Sequence, residues 1–491
     1  MTRGRALTLT LLLSACAAAR ASEERSWLDG LDGRYAGFDR ALTLASWQRA
    51  VGEEPLDTAA AEAARAAFFA DRELCERLDE LEAGSDPELA ARARAWRRFV
   101  ARERLEVEPA ILEANERLLQ AMDAGGEGPS ASELVGALVF DPDPAAQRRA
   151  LLEIEARSRA VLPLFQERVR RFDALARDLG APDAATFFAG PAALAELEQV
   201  CRAQRARTQD DWDALLVALE RRLGRPPELA DCIGATVTWS KESGSFFTGD
   251  NVGALAHDAA ARMGFDVERM GIVVRTNPGG VGGSAFGVSI PDDVRFQGNF
   301  EAYPRGYFHE LGHAIHMKRV RAPHLPERQL PQDRALNEGV GEIFALVARD
   351  PAWLAAALPD VPAGRRDEFL TCMRGYDAMA VRFNGLQARL EQELFAGHDV
   401  ERRWPILFEE TFGWKAPLGP TWILFVPSYL TTPFYLRAYV YQAEVRDSFV
   451  RRLAGRELVS PEAGRLLDET LLAPGNGLTL EAYLEEPSAG R

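Results

Sequence analysis

The chain has 491 residues, 47% of them hydrophobic and 27% charged, which is ample for a large buried core and too long for one minimal domain. Its formal net charge of −16 repels phosphate backbones and argues against nucleic acid as a partner. Past the N-terminus no run reaches about 18 apolar residues, so the sequence offers no transmembrane helix.

The N-terminus reads as an address. Arg3 and Arg5 precede a short apolar run, Ala6–Leu13, too short to span a bilayer. The run ends in Leu13-Ser14-Ala15-Cys16, which resembles a bacterial lipobox. On that reading residues 1–15 are a signal peptide, Cys16 is lipidated, and residues 16–30 tether the domain to a membrane through the lipid anchor alone. The alternative is an ordinary secretory signal cut after Ala19-Arg20-Ala21. Both predict export to the cell envelope or periplasm. Cys75, Cys201, Cys232 and Cys372 are scattered without a C-x-x-C pair and do not read as a zinc knuckle. Disulfides and buried thiols are both open to them.

From about Arg34 the pattern is helical. Ala41–Val51, Thr58–Leu81 and Pro87–Leu119 carry apolar residues at three- and four-residue spacing. Gly125-Gly126-Glu127-Gly128-Pro129 is a break, with Ser130 as the next N-cap. Asp143-Pro144 opens a long helix that runs past Arg177 and ends at Leu179-Gly180-Ala181-Pro182. Helical pattern then fills about 190–223. The domain from 31 to 491 is read as an N-terminal helical part, about 31–243, and a second part, about 244–491.

The second part opens with a helix at about 251–263 and a strand at Gly271–Arg275. A glycine-rich turn, Asn277–Gly283, leads to a second strand, Ser284–Ile290, closed by Pro291-Asp292-Asp293. This is either a plain hairpin or an edge that can hold an extended peptide by main-chain hydrogen bonds. Pro304 then suits the first turn of a helix running to about Arg319.

That helix contains Phe308-His309-Glu310-Leu311-Gly312-His313. His309 and His313 are one turn apart, so both rings leave the same face and can fill two positions around Zn²⁺. Glu310 points elsewhere on the same turn, where it can take a proton from water. His316 also falls on the ligand side, with a packing role rather than a ligand role expected. Leu311 and Ile315 lie opposite, so the helix is predicted to be buried on both sides. After a Pro-rich connection, Leu336, Val340, Ile343, Phe344 and Val347 form an apolar stripe. Glu338 and Glu342 share another face beside Gly339 and Gly341. Glu338 completes a His₂Glu set, and Glu342 can accept a hydrogen bond from a ligand imidazole.

With these pieces the chain resembles the helical zinc metallopeptidases of the gluzincin type related to angiotensin-converting enzyme and the oligopeptidases. Ser284-Ala285-Phe286 looks like that group's substrate-binding strand, followed in the same order by Asp293-Val294-Arg295, Phe308–His316 and Asn337–Glu342. Thr432-Pro433-Phe434-Tyr435-Leu436-Arg437-Ala438-Tyr439 looks like the helix bearing catalytic tyrosines. Ala45-Ser46-Trp47 and Leu472-Ala473-Pro474-Gly475 also fall where the group has similar stretches. The likeness is strong from about 270 to 445. It implies a mainly α, two-lobed body with a central groove, a small β-sheet next to the zinc helix, and short peptides as substrates. It also implies catalytic roles for Tyr435 and Tyr439. One departure stands out: the group's oxyanion histidine is missing, its place falling at Phe425 or Ser428, and no histidine follows His398. No lysine near this stretch supports dipeptide release from a C-terminus. The competing reading is a zinc-containing peptide-binding lipoprotein with weakened or lost catalysis.

Overall fold

In the computed structural model the described residues are 2–123, 128–141, 143–189, 191–277, 282–300, 304–329, 333–416 and 435–485. The fold is mainly α-helical and two-lobed, with a central groove and one small sheet. Helix α1 (Thr2–Ala50) is long and unbroken; the side chain of Cys16 lies outside the described residues. Residues 22–30, expected to be a tether, are instead the middle of α1. Leu28 and Leu31 are fully buried and Trp27 packs beside them, so this segment is part of a core. That core closes against α2 (Ala59–Ala70), α3 (Arg72–Glu82) and α4 (Pro87–Val107). Tyr35 sits at its centre, edge-on to Phe99 at 5.1 Å and Phe38 at 5.2 Å, the geometry that aromatic quadrupoles favour.

The helices that follow are α5 (Pro109–Asp123), α6 (Ala131–Phe140), α7 (Pro144–Asp178), α8 (Ala184–Ala189), α9 (Pro191–Arg207), α10 (Gln209–Leu223) and α11 (Leu229–Ser243). Their starts follow local chemistry. Ser130 and Glu133 form a reciprocal capping box on α6. Asp143 accepts from the amides of Ala145 and Ala146 at the head of α7, with Pro144 in the first turn. Gly180, at φ 87°, takes the left-handed turn that releases the chain from α7. Leu134, Leu138, Ile154, Trp212 and Leu215 share one core with Phe308, Leu311, Phe344 and Leu390. The apolar cores part near the end of α4, and α9, α10 and α11 turn their stripes toward the later helix α18 (Ala363–Phe395). All four described cysteines are free thiols, three of them buried.

After α12 (Val252–Arg262) and α13 (Val267–Met270) come β1 (Val273–Thr276), β2 (Gly283–Ser289) and β3 (Asp293–Gly298), in the order β1-β3-β2. β1 and β3 are parallel; β2 and β3 are antiparallel. The two expected strands are not neighbours, so they are not a hairpin with each other. The hairpin is β2–β3, and β3, unforeseen, is driven inward by the fully buried Val294 and Phe296. This leaves β2 at the sheet edge, with α1 on one side and α14 (Pro304–Arg319) on the other. After α15 (Leu325–Gln329), α16 (Arg334–Val347) packs against α14 and against the later helix α20 (Tyr435–Leu453). Between them lie α17 (Pro351–Ala357), α18 and α19 (Val400–Phe412). Phe308, Leu311 and Ile315 are buried, so α14 is enclosed on both sides as expected. Among the described residues no helix is long and apolar enough to cross a membrane.

Candidate functional site

On α14 the Nε2 atoms of His309 and His313 lie 3.0 Å apart. From α16, Glu338 Oε2 is 3.4 Å from His309 Nε2 and 3.7 Å from His313 Nε2. Among the described residues this is the group of His, Cys, Asp and Glu side chains placed to hold a metal ion. Each of the three can present an electron pair to one point between them, where a cation would be held by all three. Tetrahedral ligands at ordinary zinc bond lengths sit about 3.3 Å from each other, close to these separations. The donor set therefore fits zinc. His316 does not join it: buried beside Asn337, its Nε2 finds no hydrogen-bond partner among the described residues.

Behind His309 lies a buried charge network. Its Nδ1 faces Glu342 Oε1 at 3.5 Å. Arg305, one turn before His309, holds both Glu342 oxygens at 2.8 and 2.6 Å. Arg349 stands 3.6 Å from Glu342 and contacts Asp377, while Arg446 is 3.4 Å from Asp377. Burial pushes the Glu342 carboxyl up, but Arg305, with His309 and Arg349, outweighs it and holds the carboxyl well below the usual range. Glu342 is thus a permanent anion, able to orient the His309 ring. Sequence reasoning found Glu342 and missed the arginines. They come from α14, from the turn between α16 and α17, and from α20, and share no spacing that a linear pattern could reveal.

Two glycines make room for the working side chains. A Cβ on Gly341 of α16 would lie 2.6 Å from His309 Cε1, so α16 reaches the ring only with hydrogen there. A Cβ on Gly283 of β2 would lie 2.6 Å from Glu310 Cγ. Glu310 is consequently pressed against the strand edge. Burial, with added repulsion from Glu338 and opposed by His309, pushes its carboxyl up to about 7.

These groups open into a cavity of about 300 Å³. His309, Glu310, Glu338 and Glu342 form one wall; Tyr376, Asp377 and Asn384 of α18 and Gln442 and Arg446 of α20 form the other. The α18 residues carry no motif and were not anticipated. Of the expected substrate strand, Ser284 is exposed and donates to the Gly283 carbonyl at 2.7 Å, Ala285 pairs with Phe296, and Phe286 packs edge-on against Trp47 at 5.6 Å. Helix α20 begins at Tyr435. The side chains of Tyr435 and Tyr439, and the stretch holding Phe425 and Ser428, lie outside the described residues.

No protein-family model matches the chain, and no curated protein matches it in sequence. Solved structures do match its fold. The BsuCP crystal structure superposes with a TM-score of 0.60 at 12% identity, covering 96% of each chain. An apo-Mg carboxypeptidase from Pyrococcus furiosus gives 0.60 at 12% identity, over 94% of this chain and 95% of its own. A putative oligoendopeptidase F gives 0.60 at 14% identity, over 86% and 81%. The chain shares their fold. At these identities the likeness concerns architecture across nearly the whole chain.

Proposed function

We propose that the chain is a zinc-dependent peptidase that hydrolyses peptide bonds in short peptides. The observation that carries this reading is the convergence of His309, His313 and Glu338 beside a cavity that His309, Glu338 and Glu310 line. The carboxypeptidase and oligoendopeptidase folds that it shares support the same class of reaction. A zinc ion held by the three ligands supplies Lewis acidity for the scissile carbonyl and acidifies water. Glu310 accepts the proton from the attacking water and returns it to the leaving amine. Glu342, fixed by Arg305, keeps His309 in one orientation. β2 aligns the peptide along its edge of the sheet. Tyr435 and Tyr439 precede the cavity-lining Ala443 by two turns and one turn of α20, and in this proposal they donate to the oxyanion. The chain is exported, with Cys16 as a lipidated N-terminus.

Purified protein is expected to carry about one zinc per chain, and Glu310→Gln to keep the metal while losing turnover of a quenched peptide library. Metal-free protein, or undiminished turnover in that variant, would overturn the mechanism. Tight peptide binding without turnover in the zinc-loaded wild type would identify the binding lipoprotein instead. Absence of radioactive palmitate label in the wild type would remove the lipid anchor, and label that survives Cys16→Ala would remove Cys16 as its site.

A further inference from the structure

A second and larger cavity, of about 880 Å³, lies between the lobes. Two elements connect it to the metal cavity. On β2, Gly283 lines the metal cavity and Phe286 the larger one, about 10 Å further along an extended strand. On α16, Glu338 lines the metal cavity, and Arg334, one turn earlier, lines the larger one. Both spaces therefore border the same two elements, β2 and α16.

The larger space has a charge the rest of the chain does not. The protein as a whole is strongly acidic, at −16. Yet this cavity is lined by Arg65, Arg97, Arg98, Arg102, Arg104 and Arg334. Against them stand Asp39, Asp79, Glu103 and Asp178. Arg65 holds Glu103 at 2.7 Å and Arg97 contacts Asp79, so these four charges cancel in pairs and leave four arginines, Arg98, Arg102, Arg104 and Arg334, against Asp39 and Asp178. The remaining lining includes apolar Leu42, Phe99 and Phe286. Cationic groups over low-dielectric walls focus their field into the space between them.

We infer that this cavity binds the part of the substrate that extends away from the scissile bond, and that its arginines select peptides carrying aspartate or glutamate side chains there. The inference rests on the peptide-binding reading of the groove. It commits to side-chain carboxylates, so the test removes the charges of both peptide ends.

The probes are quenched peptides of equal length, acetylated and amidated, with glutamate, glutamine or lysine flanking one fixed cleavable centre on either side. Turnover is read with zinc-loaded wild type, and binding by fluorescence anisotropy with Glu310→Gln. The expected order is glutamate, then glutamine, then lysine, on one flank only, with a glutamate-to-lysine ratio of at least about tenfold that shrinks as salt is raised. In the double variant Arg98→Gln/Arg104→Gln the same ratio falls toward one. Equal binding and turnover of glutamate and lysine peptides would overturn the inference, as would a ratio that ignores both salt and the arginine substitutions. Charge-ranked binding without cleavage keeps the inference and removes the peptidase. Cleavage without charge ranking keeps the peptidase and removes the inference. Neither binding nor cleavage overturns both.

Discussion

The core of α1–α4 and the interior between α14 and α16 are both buried helix contacts, built from opposite materials. The first is a nest of rings: Tyr35, Phe38, Phe68, Phe69, Trp96 and Phe99 with no buried metal group among them. The second encloses His309, Glu310, Glu338, Glu342, Arg305 and Arg349. Burying apolar area stabilises almost regardless of which ring provides it. Burying charge is costly unless each group finds a partner in good geometry. The first region therefore specifies a shape, and the second spends stability on fixing a few atoms. Changes in one should register as folding, and changes in the other as metal and chemistry.

The largest separation is expected from Glu310→Gln. Loss of a general base typically costs about 10²–10⁴-fold in rate. Zinc content and melting temperature should stay near wild type, because the amide fills the same volume. A large drop in melting temperature would place Glu310 in the structural class instead. Next is Trp96→Ala in the aromatic core. Trp96 is fully buried and donates to Asp32 at 2.8 Å. A truncation of this kind costs about 3–5 kcal/mol, read by chemical unfolding. Below the transition, zinc per folded chain should be unchanged; loss of metal in step with stability would dissolve the contrast between the regions. Third is Glu342→Gln, which removes the anion behind His309. Zinc affinity, measured by competition with a chelator, is expected to fall about 10–100-fold. An unchanged affinity would mean that packing alone orients the ring.

The two regions also differed in how far they could be read from sequence. The candidate metal group was legible because the two histidines and Glu338 each sit on one helix face at fixed spacing. Ser130 and Asp143 were legible because capping is a local rule. Residues 22–30 were misread because glycines and charges at Glu23, Glu24, Asp29, Gly30 and Gly33 dilute the stripe of Trp27, Leu31 and Tyr35. β3 was missed because Pro291-Asp292-Asp293 looks like an ending, while the inward pair Val294 and Phe296 is a very short alternation. The arginines around Glu342 and the α18 wall were invisible in principle. They meet only because distant helices pack, and no sequence separation encodes that meeting.

A last test asks whether charge buried far from His309 and His313 obeys the same rule. Glu391 lies on α18 in the larger core, buried, with one carboxyl oxygen lacking a hydrogen-bond partner among the described residues. Burial pushes its carboxyl up to about 8, opposed by Arg168 of α7. The Arg168 guanidinium itself lies 4.9 Å from the centre of the Phe172 ring. In the unfolded chain the carboxyl titrates at its ordinary value of 4.5. Between those values the unfolded chain releases a proton that the folded chain keeps. Rising pH therefore favours unfolding across that window, by at most about 1.4 kcal/mol per pH unit for one proton, and the effect levels off above it. Glu391→Gln copies the protonated side chain and cannot ionise. Wild type and variant should have similar stability near pH 5, and the variant should gain on wild type toward pH 8, read by urea unfolding at both. Parallel pH profiles would show that Arg168 holds Glu391 ionised in the fold, which would make this a buried ion pair like those around Glu342 rather than a neutral acid in an apolar setting.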